Sequence, residues 1–396
     1  MNIALIADTF PPIRASGAVQ LRDLSREFVR QGYSITVILP TPSLATSWVL
    51  ENIDGVMVLR LHAPKNKDIN YIRRTINEIL MPFVMLRNFR KSPVAKRRWD
   101  GVIWHSPTIF LGPIAKALMD ASSCKGYLIV RDIFPEWALD MGLMGGALPY
   151  KFFKVVANYQ YSVAHVIGVQ SPGNCGYFDR WRQRPGRQLE VLQNWLGKPA
   201  KVRCPIRVSE TALAGRKVFV YAGNMGIAQG MEILLDLAEQ LRSRMDVGFL
   251  FVGRGSDAAR LKSVAKNRKL DNVLFYAEID PDEIPDLYAQ CSAGIVALDP
   301  RHRSHNIPGK FLTYMQSGLP VLATVNAGND LAQMIREEQV GLVCESNHVD
   351  DLMEFAVQLL TQIELDGQMP YRCRSLFERE FAVEKTVRQI VSALST

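Results

Sequence analysis

Short apolar runs alternate with longer amphipathic stretches along this chain, and the alternation restarts once. In the first half the runs are Ile3–Ala7, Ile35–Leu39, Val56–Leu59, Val102–Trp104, Tyr127–Val130, Val166–Val169 and Leu189–Leu192. Such near-continuous apolar runs predict strands buried on both faces. Between them Gln20–Gln31, stopped by Gly32, and Pro113–Asp120 show a helical period. A second series follows: Val218–Tyr221, Val247–Val252, Val273–Phe275, Gly294–Ala297, Val321–Ala323 and Gly341–Cys344, with helices Met231–Arg242 and Ala258–Asn267 between. Strands alternating with helices predict a parallel sheet covered on both faces, so the expected class is α/β with two doubly wound, Rossmann-like domains. The stretch 199–216 carries Pro199, Pro205 and Gly215 without a clear period and reads as a linker. The expected division is 1–198, linker 199–216, 217–375 and a closing helical segment 376–396. A chain of 396 residues suits two cores.

One stretch, His305 to Asp330, dictates its own local structure. A polar loop ends at Pro308 and Gly309, Lys310 opens an amphipathic helix, Gly318 closes it, and Pro320 starts a strand. A helix N-terminus offers free backbone N–H groups. With a lysine beside it and a glycine that lets backbone approach closely, it favours a phosphate.

Charge divides unevenly. Residues 1–200 hold 25 Lys and Arg against 14 Asp and Glu, and residues 201–396 hold 22 against 25. Much of the excess lies in Arg73, Arg74, Arg87, Arg90, Lys91, Lys96, Arg97 and Arg98, interleaved with Ile79, Leu80, Phe83, Val84, Leu86, Phe89 and Trp99. Two readings stand, a segment lying on an anionic membrane surface or a solvated basic surface helix. Nucleic acid is disfavoured, since no nucleic-acid motif accompanies the charge. No window reaches the roughly 18–20 apolar residues of a membrane span, and Met1–Ala7 reads as a first strand rather than a leader. The six cysteines show no paired or zinc-like spacing and read as packing residues of a reduced compartment.

Four segments together resemble a known family: Ala7–Pro12 leading to Ser16 and Gly17; Val130–Glu136; Val220–Gly226 through Gln229 and Gly230; and His305–Asp330. They are similar, in order, to the motifs of retaining, family-four glycosyltransferases of the two-domain GT-B class. The closer likeness is to bacterial O-antigen and capsule transferases that handle N-acetylated 6-deoxyhexosamines such as N-acetyl-L-fucosamine. The resemblance implies metal-independent, front-face transfer from a UDP-sugar, with no cofactor beyond that donor. It implies a polyprenyl-diphosphate-linked saccharide as acceptor, and a cytoplasmic protein peripherally held at the inner face of a bacterial membrane. It also implies a central cleft between the domains and a last helix that returns to the N-terminal domain.

Departing diphosphate needs positive charge and N–H dipoles aimed at it. The family supplies an Arg and a Lys after the first C-terminal strand, where this chain resembles it only in position, with Asn224 and Gln229. Lys310, with Gly309, is therefore the first candidate to hold the diphosphate, against a plain surface lysine. Arg254 between two glycines comes second, and Arg301, Arg303 and His305 follow. The family's glutamate pair corresponds here to His305 and Thr313, and Thr313 can offer a ribose one hydrogen bond but no charge. The resemblance brings Ser16, Gly17 and Gly223 to the donor. Asp132 and Glu136, after a strand end, are candidates to accept or orient the proton of an acceptor hydroxyl, or else form a helix cap. Arg131, where relatives carry a histidine, and His105 complete the acceptor side. Asp280-Pro281-Asp282 matches a metal-binding D-x-D but reads as a helix start, and His302 with His305 lacks the company zinc needs. The rival readings are a sugar-nucleotide 2-epimerase of the same architecture and a donor-binding partner without turnover, which the missing glutamates favour.

Overall fold

A computed structural model of the chain describes residues 1–395 except 145, 200, 227, 228, 300, 302–304 and 306. The chain divides into two compact units, Met1–Gln193 with Val383–Thr396, and Asn194–Ala382.

The first unit is built on β1 (Asn2–Ile6), β2 (Ser34–Pro40), β3 (Trp48–Ile53), β4 (Val56–Leu61), β5 (Gly101–Ser106), β6 (Lys125–Val130), β7 (Val166–Val169) and β8 (Gln188–Val191). Among the described residues they form one sheet in the order β3-β4-β2-β1-β5-β6-β7-β8. All neighbours are parallel except β3 with β4. The seven apolar runs of the first half all become strands because both faces of the sheet are covered. The exception, β3, is half-exposed along its length. It turns into β4 through Asp54 and Gly55, both at positive φ, an Asp-Gly pair suited to a two-residue hairpin.

The second unit carries β9 (Lys217–Ala222), β10 (Val247–Val252), β11 (Val273–Tyr276), β12 (Ala293–Ala297), β13 (Val321–Thr324) and β14 (Gly341–Cys344). Every pair in the order β11-β10-β9-β12-β13-β14 is parallel. In both sheets the strand order reverses once, beside β1 and β5 and beside β9 and β12. In open α/β sheets ligands sit at such points, beyond the carboxyl ends of the strands.

Two expectations about boundaries are corrected. The stretch 199–216 is no linker, because Cys204, Ile206, Val208 and Leu213 are buried in the core of the second unit. Its backbone is tied down where Cys204 N donates to Asp286 Oδ2 at 2.8 Å and Val208 N to Gln290 Oε1 at 3.0 Å. The segment 376–396 is divided as well. Phe377 and Phe381 remain in the second unit's core, with Phe381 edge-on to Phe311 at 6.0 Å. Only Val383–Thr396 belongs to the first unit, where the helix Val383–Ser395 buries Val387, Ile390 and Leu394, and Gln389 Nε2 donates to Val191 O at 2.9 Å.

Candidate functional site

In the second unit the turn after β9 is locked to the turn after β10. Gly223 N donates to Val252 O at 2.9 Å and Met225 N to Arg254 O at 2.8 Å. Both turns start with a glycine at positive φ, Gly223 at 145° and Gly253 at 149°, a region only glycine enters cheaply. Lys310, second residue of the helix Gly309–Ser317, lies against this pair of turns. Its Nζ is 4.5 Å from the ring centroid of Tyr221, and a Cβ on Gly223 would lie 3.5 Å from its Cε. Tyr221 is fully buried and its hydroxyl donates to Asn224 O at 2.6 Å, so the ring under the ammonium is fixed.

Among the described residues Lys310 has no carboxylate or other hydrogen-bond acceptor. Although part of the side chain remains accessible, desolvation lowers its pKa to about 8. Pro308 precedes the helix in an extended conformation, and no side chain caps the first turn. A desolvated cation without a counter-ion, beside an uncapped helix start, is a site made for an anion.

The other expected donor residues divide. Gln229 braces the loop, because its Oε1 accepts from Gly226 N at 2.9 Å and Asn224 Nδ2 at 3.2 Å. Arg254 is largely exposed and sits 2.8 Å from Glu278, and Arg301 pairs with Asp299 at 2.7 Å, so both are committed elsewhere. His305 Nδ1 lies 3.0 Å from Asp330 Oδ1, which raises its pKa against the opposing effect of burial. The Thr313 hydroxyl donates back to Gly309 O at 3.3 Å, one helical turn away, which holds it to its own helix. Arg303 and His302 lie outside the described residues. Asp280 caps a helix start, its carboxylate accepting from Asp282 N at 3.0 Å while Glu283 accepts from Asp280 N at 2.9 Å.

In the first unit the polar groups gather at the ends of three adjacent strands, β1, β5 and β6. Ser16 and Gly17, expected in a loop, form the first turn of the helix Ser16–Arg30. Gly17 lies beside both acceptor-side candidates. A Cβ there would meet Arg131 Nη1 at 3.4 Å and His105 Cε1 at 3.7 Å. Arg131 is half-buried by surface, its desolvation lowers its pKa, and it donates to Gln20 Oε1. Glu136 is held by Lys154 and by Tyr150, whose hydroxyl is 3.4 Å away, so it is not the free carboxylate the sequence suggested. Asp132, half-buried just beyond β6, lies close enough to Asp8 to push that carboxyl's pKa up, though burial is the larger cause.

Unmet hydrogen-bonding atoms here include Asp8 Oδ1, Ser106 Oγ, both ring nitrogens of His105 and the second carboxylate oxygen of Glu136, Oε2. The sequence reading passed over Asp8 and Ser106, as it did Tyr221. Their signal was position, each standing at or just beyond a strand's carboxyl end. His105 is 1 % exposed, and its pKa is lowered to about 3 by burial and then by the Arg131 charge. A neutral imidazole both donates and accepts, which suits hydroxyl groups. Unfolded, the ring returns to about 6.5 and takes up a proton that the folded form refuses. Stability should therefore fall as pH drops from about 6.5 towards about 3, by up to about 1.4 kcal/mol per pH unit. Urea unfolding across this range should show a shallower slope for His105→Gln, and equal slopes would refute the assignment.

Comparison with known proteins bears on the family and the fold. Residues 216–362 match the family described as glycosyl transferases group 1. The putative colanic acid biosynthesis glycosyl transferase WcaI of Escherichia coli (strain K12) is 24% identical over 324 residues, 76% of this chain and 75% of that protein. Among solved structures, the sucrose-phosphate synthase of Thermosynechococcus elongatus superposes with a TM-score of 0.74 at 17% identity, covering 99% of this chain and 98% of that one. HepE of Anabaena, solved in complex with UDP, superposes with a TM-score of 0.68 at 15% identity over the whole of both chains. The fold is GT-B, two Rossmann-like units each built on a parallel sheet.

Proposed function

We propose that this chain, a glycosyltransferase, moves a sugar from a UDP-sugar to a polyprenyl-diphosphate-linked saccharide in the synthesis of a bacterial surface polysaccharide, with retention and without a metal. The observation that carries the donor half is Lys310, desolvated over the Tyr221 ring beside an uncapped helix start. The diphosphate of the donor fits there, with Gly223 and Gly309 allowing its oxygens close to the backbone. As the glycosidic bond to the diphosphate breaks, Lys310 and the helix N–H groups offset the charge gathering on the leaving oxygen. Loop bracing by Gln229 and Asn224 keeps that geometry without adding charge.

The acceptor falls to the first unit. His105, Ser106 and Asp8 offer unmet hydrogen-bonding atoms to a saccharide's hydroxyls, and Asp132 orients the attacking one. Glu136 acts at one remove, through its pair with Lys154. UDP as the nucleotide is supported by the UDP complex of the structural relative, and a polysaccharide product by the name of the sequence relative. N-acetyl-L-fucosamine as the sugar rests on the sequence resemblance alone.

A lipid-linked acceptor calls for contact with a membrane. No helix among the described residues is long and apolar enough to cross one. The helix Tyr71–Phe89 instead buries Met81, Met85 and Phe89 and leaves Tyr71, Ile72, Ile76, Leu80 and Phe83 exposed near Arg73 and Arg74. Each basic residue at an anionic surface contributes about 1 kcal/mol. Two of the seven apolar residues in the basic segment, Phe89 and Trp99, are core residues instead. This exposed set supports peripheral association at the inner membrane face.

One reaction tests the whole reading. Radiolabelled UDP-amino sugars are incubated with polyprenyl-diphosphate-linked saccharides in phosphatidylglycerol vesicles containing a chelator. Labelled lipid product, lost in Asp132→Ala, is expected. Conversion of the UDP-sugar to its 2-epimer without labelled lipid would replace the proposal by the epimerase. UDP binding with no product from any acceptor would favour a donor-binding partner, a reading to which the internally engaged Thr313 and His305 already lend weight.

A further inference from the structure

At the opposite end of the first unit's sheet, where β6, β7 and β8 begin, the fold assembles a second polar cavity, of about 730 Å³. Three basic residues meet there because of topology. Lys125 opens β6, His165 immediately precedes β7, and Arg187 immediately precedes β8, and the three strands are neighbours in the sheet. The ladder extends through them, with His165 N donating to Gly126 O at 3.1 Å and Gln188 N to His165 O at 3.0 Å. All three side chains line the cavity.

Among the described residues no free acid offsets them. The carboxylate on the wall, Asp120, is held by Lys116 at 2.8 Å. Lys125 has no hydrogen-bond or ion-pair partner among the described residues. Arg187 is fixed by donating to Ser162 O at 2.8 Å and to Ala164 O, which close the helix Ala147–Val163, and no carboxylate meets it. Gly126 N donates to His165 Nδ1 at 3.1 Å, so in the neutral ring the proton is on Nε2, a donor left for something else. Burial, then Arg187 and Lys125, lower the pKa of that histidine. Like charges gathered in a concave site without a counter-ion mark the place of an anion.

We propose that this cavity binds a phosphate group, held by Lys125, His165 Nε2 and the Arg187 charge, with the hydroxyl of Ser123 on its wall. It is distinct from the donor site, which belongs to the other unit, and from the polar cluster at the carboxyl ends of the same sheet, roughly 20 Å away along a six-residue strand. Two sources share the chemistry. One is a small phosphate or diphosphate in solution. The other is a phospholipid headgroup, for which the wall helix Ala147–Val163 supplies an exposed apolar stripe, Leu148, Phe152, Val155 and Tyr159, with Lys151 beside it.

The test is histidine NMR on the full chain without nucleotide, the His165 ring signal being assigned by its loss in His165→Gln. Inorganic phosphate and pyrophosphate are titrated first, then vesicles of phosphatidylglycerol against phosphatidylcholine. A saturable His165 shift is expected, weakened by about tenfold or more in Lys125→Ala. Because Lys125 has no partner, that variant should melt no lower than the parent. A shift with free phosphate places the small anion in the cavity, and a shift with phosphatidylglycerol alone places the lipid there. A His165 signal unmoved by every probe, or moved equally in Lys125→Ala, overturns the proposal.

Discussion

Replacing Lys310 by alanine should weaken UDP binding by about 1.5–3 kcal/mol, the worth of a charge-assisted hydrogen bond, and lower turnover by about 10²–10³-fold, as loss of a group that stabilises developing charge does. The pH dependence is the sharper signature. Desolvation brings Lys310 to about 8 in the free protein, and only its protonated form attracts the diphosphate. UDP affinity should therefore be flat below about pH 8 and fall as pH rises through it, until the higher pKa of the bound state is reached. Folding has the opposite sign. Between about 8 and the ordinary 10.5 the unfolded chain holds a proton that the folded chain has released, so the unliganded protein gains stability as pH rises. Calorimetry of UDP between pH 7 and 10 checks the first effect. Lys310→Ala should abolish the slope, and Lys310→Arg, always charged, should abolish it while keeping part of the affinity. A sloping curve in Lys310→Ala would remove the lysine from the donor site.

Gly253→Ala is expected to be among the most damaging single methyls in the second unit's site. A Cβ at this position would lie 2.0 Å from Gly223 O and 3.0 Å from Gly223 C, with φ at 149°. Neither contact is a flexible side chain that can swing away. Strain of the backbone conformation costs about 1–3 kcal/mol and overpacking a further 1–3, and the thermal midpoint should fall by roughly 5–20 °C. Donor binding should weaken too, since the displaced turn is the one Lys310 rests on. Gly215→Ala is the control, because it has φ 75° and nothing within 4 Å of an added Cβ, so it carries only the backbone cost. Equal melting of the two variants would show that the two turns are not interlocked.

How much of this was legible differs by element. Strands buried on both faces announce themselves as unbroken apolar runs, and thirteen of the strands coincide with the runs in the sequence. β3 was missed because Trp48–Ile53 is an edge strand whose faces are half-exposed, although Asp54-Gly55 carried the hairpin signal. Residues 199–216 looked like a linker because irregular backbone has no period, yet irregular backbone can be buried when its N–H groups find partners such as Asp286 and Gln290. Ser16 and Gly17 looked like loop because no side chain caps the helix they begin.

The sequence by itself determined the class of fold, the positions of the glycine turns and the helix start that puts Lys310 at an anion site, because periodicity, turn residues and caps are local properties. Only the tertiary structure decided which charges are free. Arg254, Arg301, Glu136 and His305 read as candidates along the chain, and each meets a partner, Glu278, Asp299, Lys154 or Asp330, brought to it by folding. Among the described residues Lys310 finds no acid and lies over the face of Tyr221, from a strand 89 residues earlier, and His105 meets the charge of Arg131 from the neighbouring strand's end. Whether a side chain is available for chemistry depends on what the fold places within a few ångströms of it, and that distance is not written in residue order.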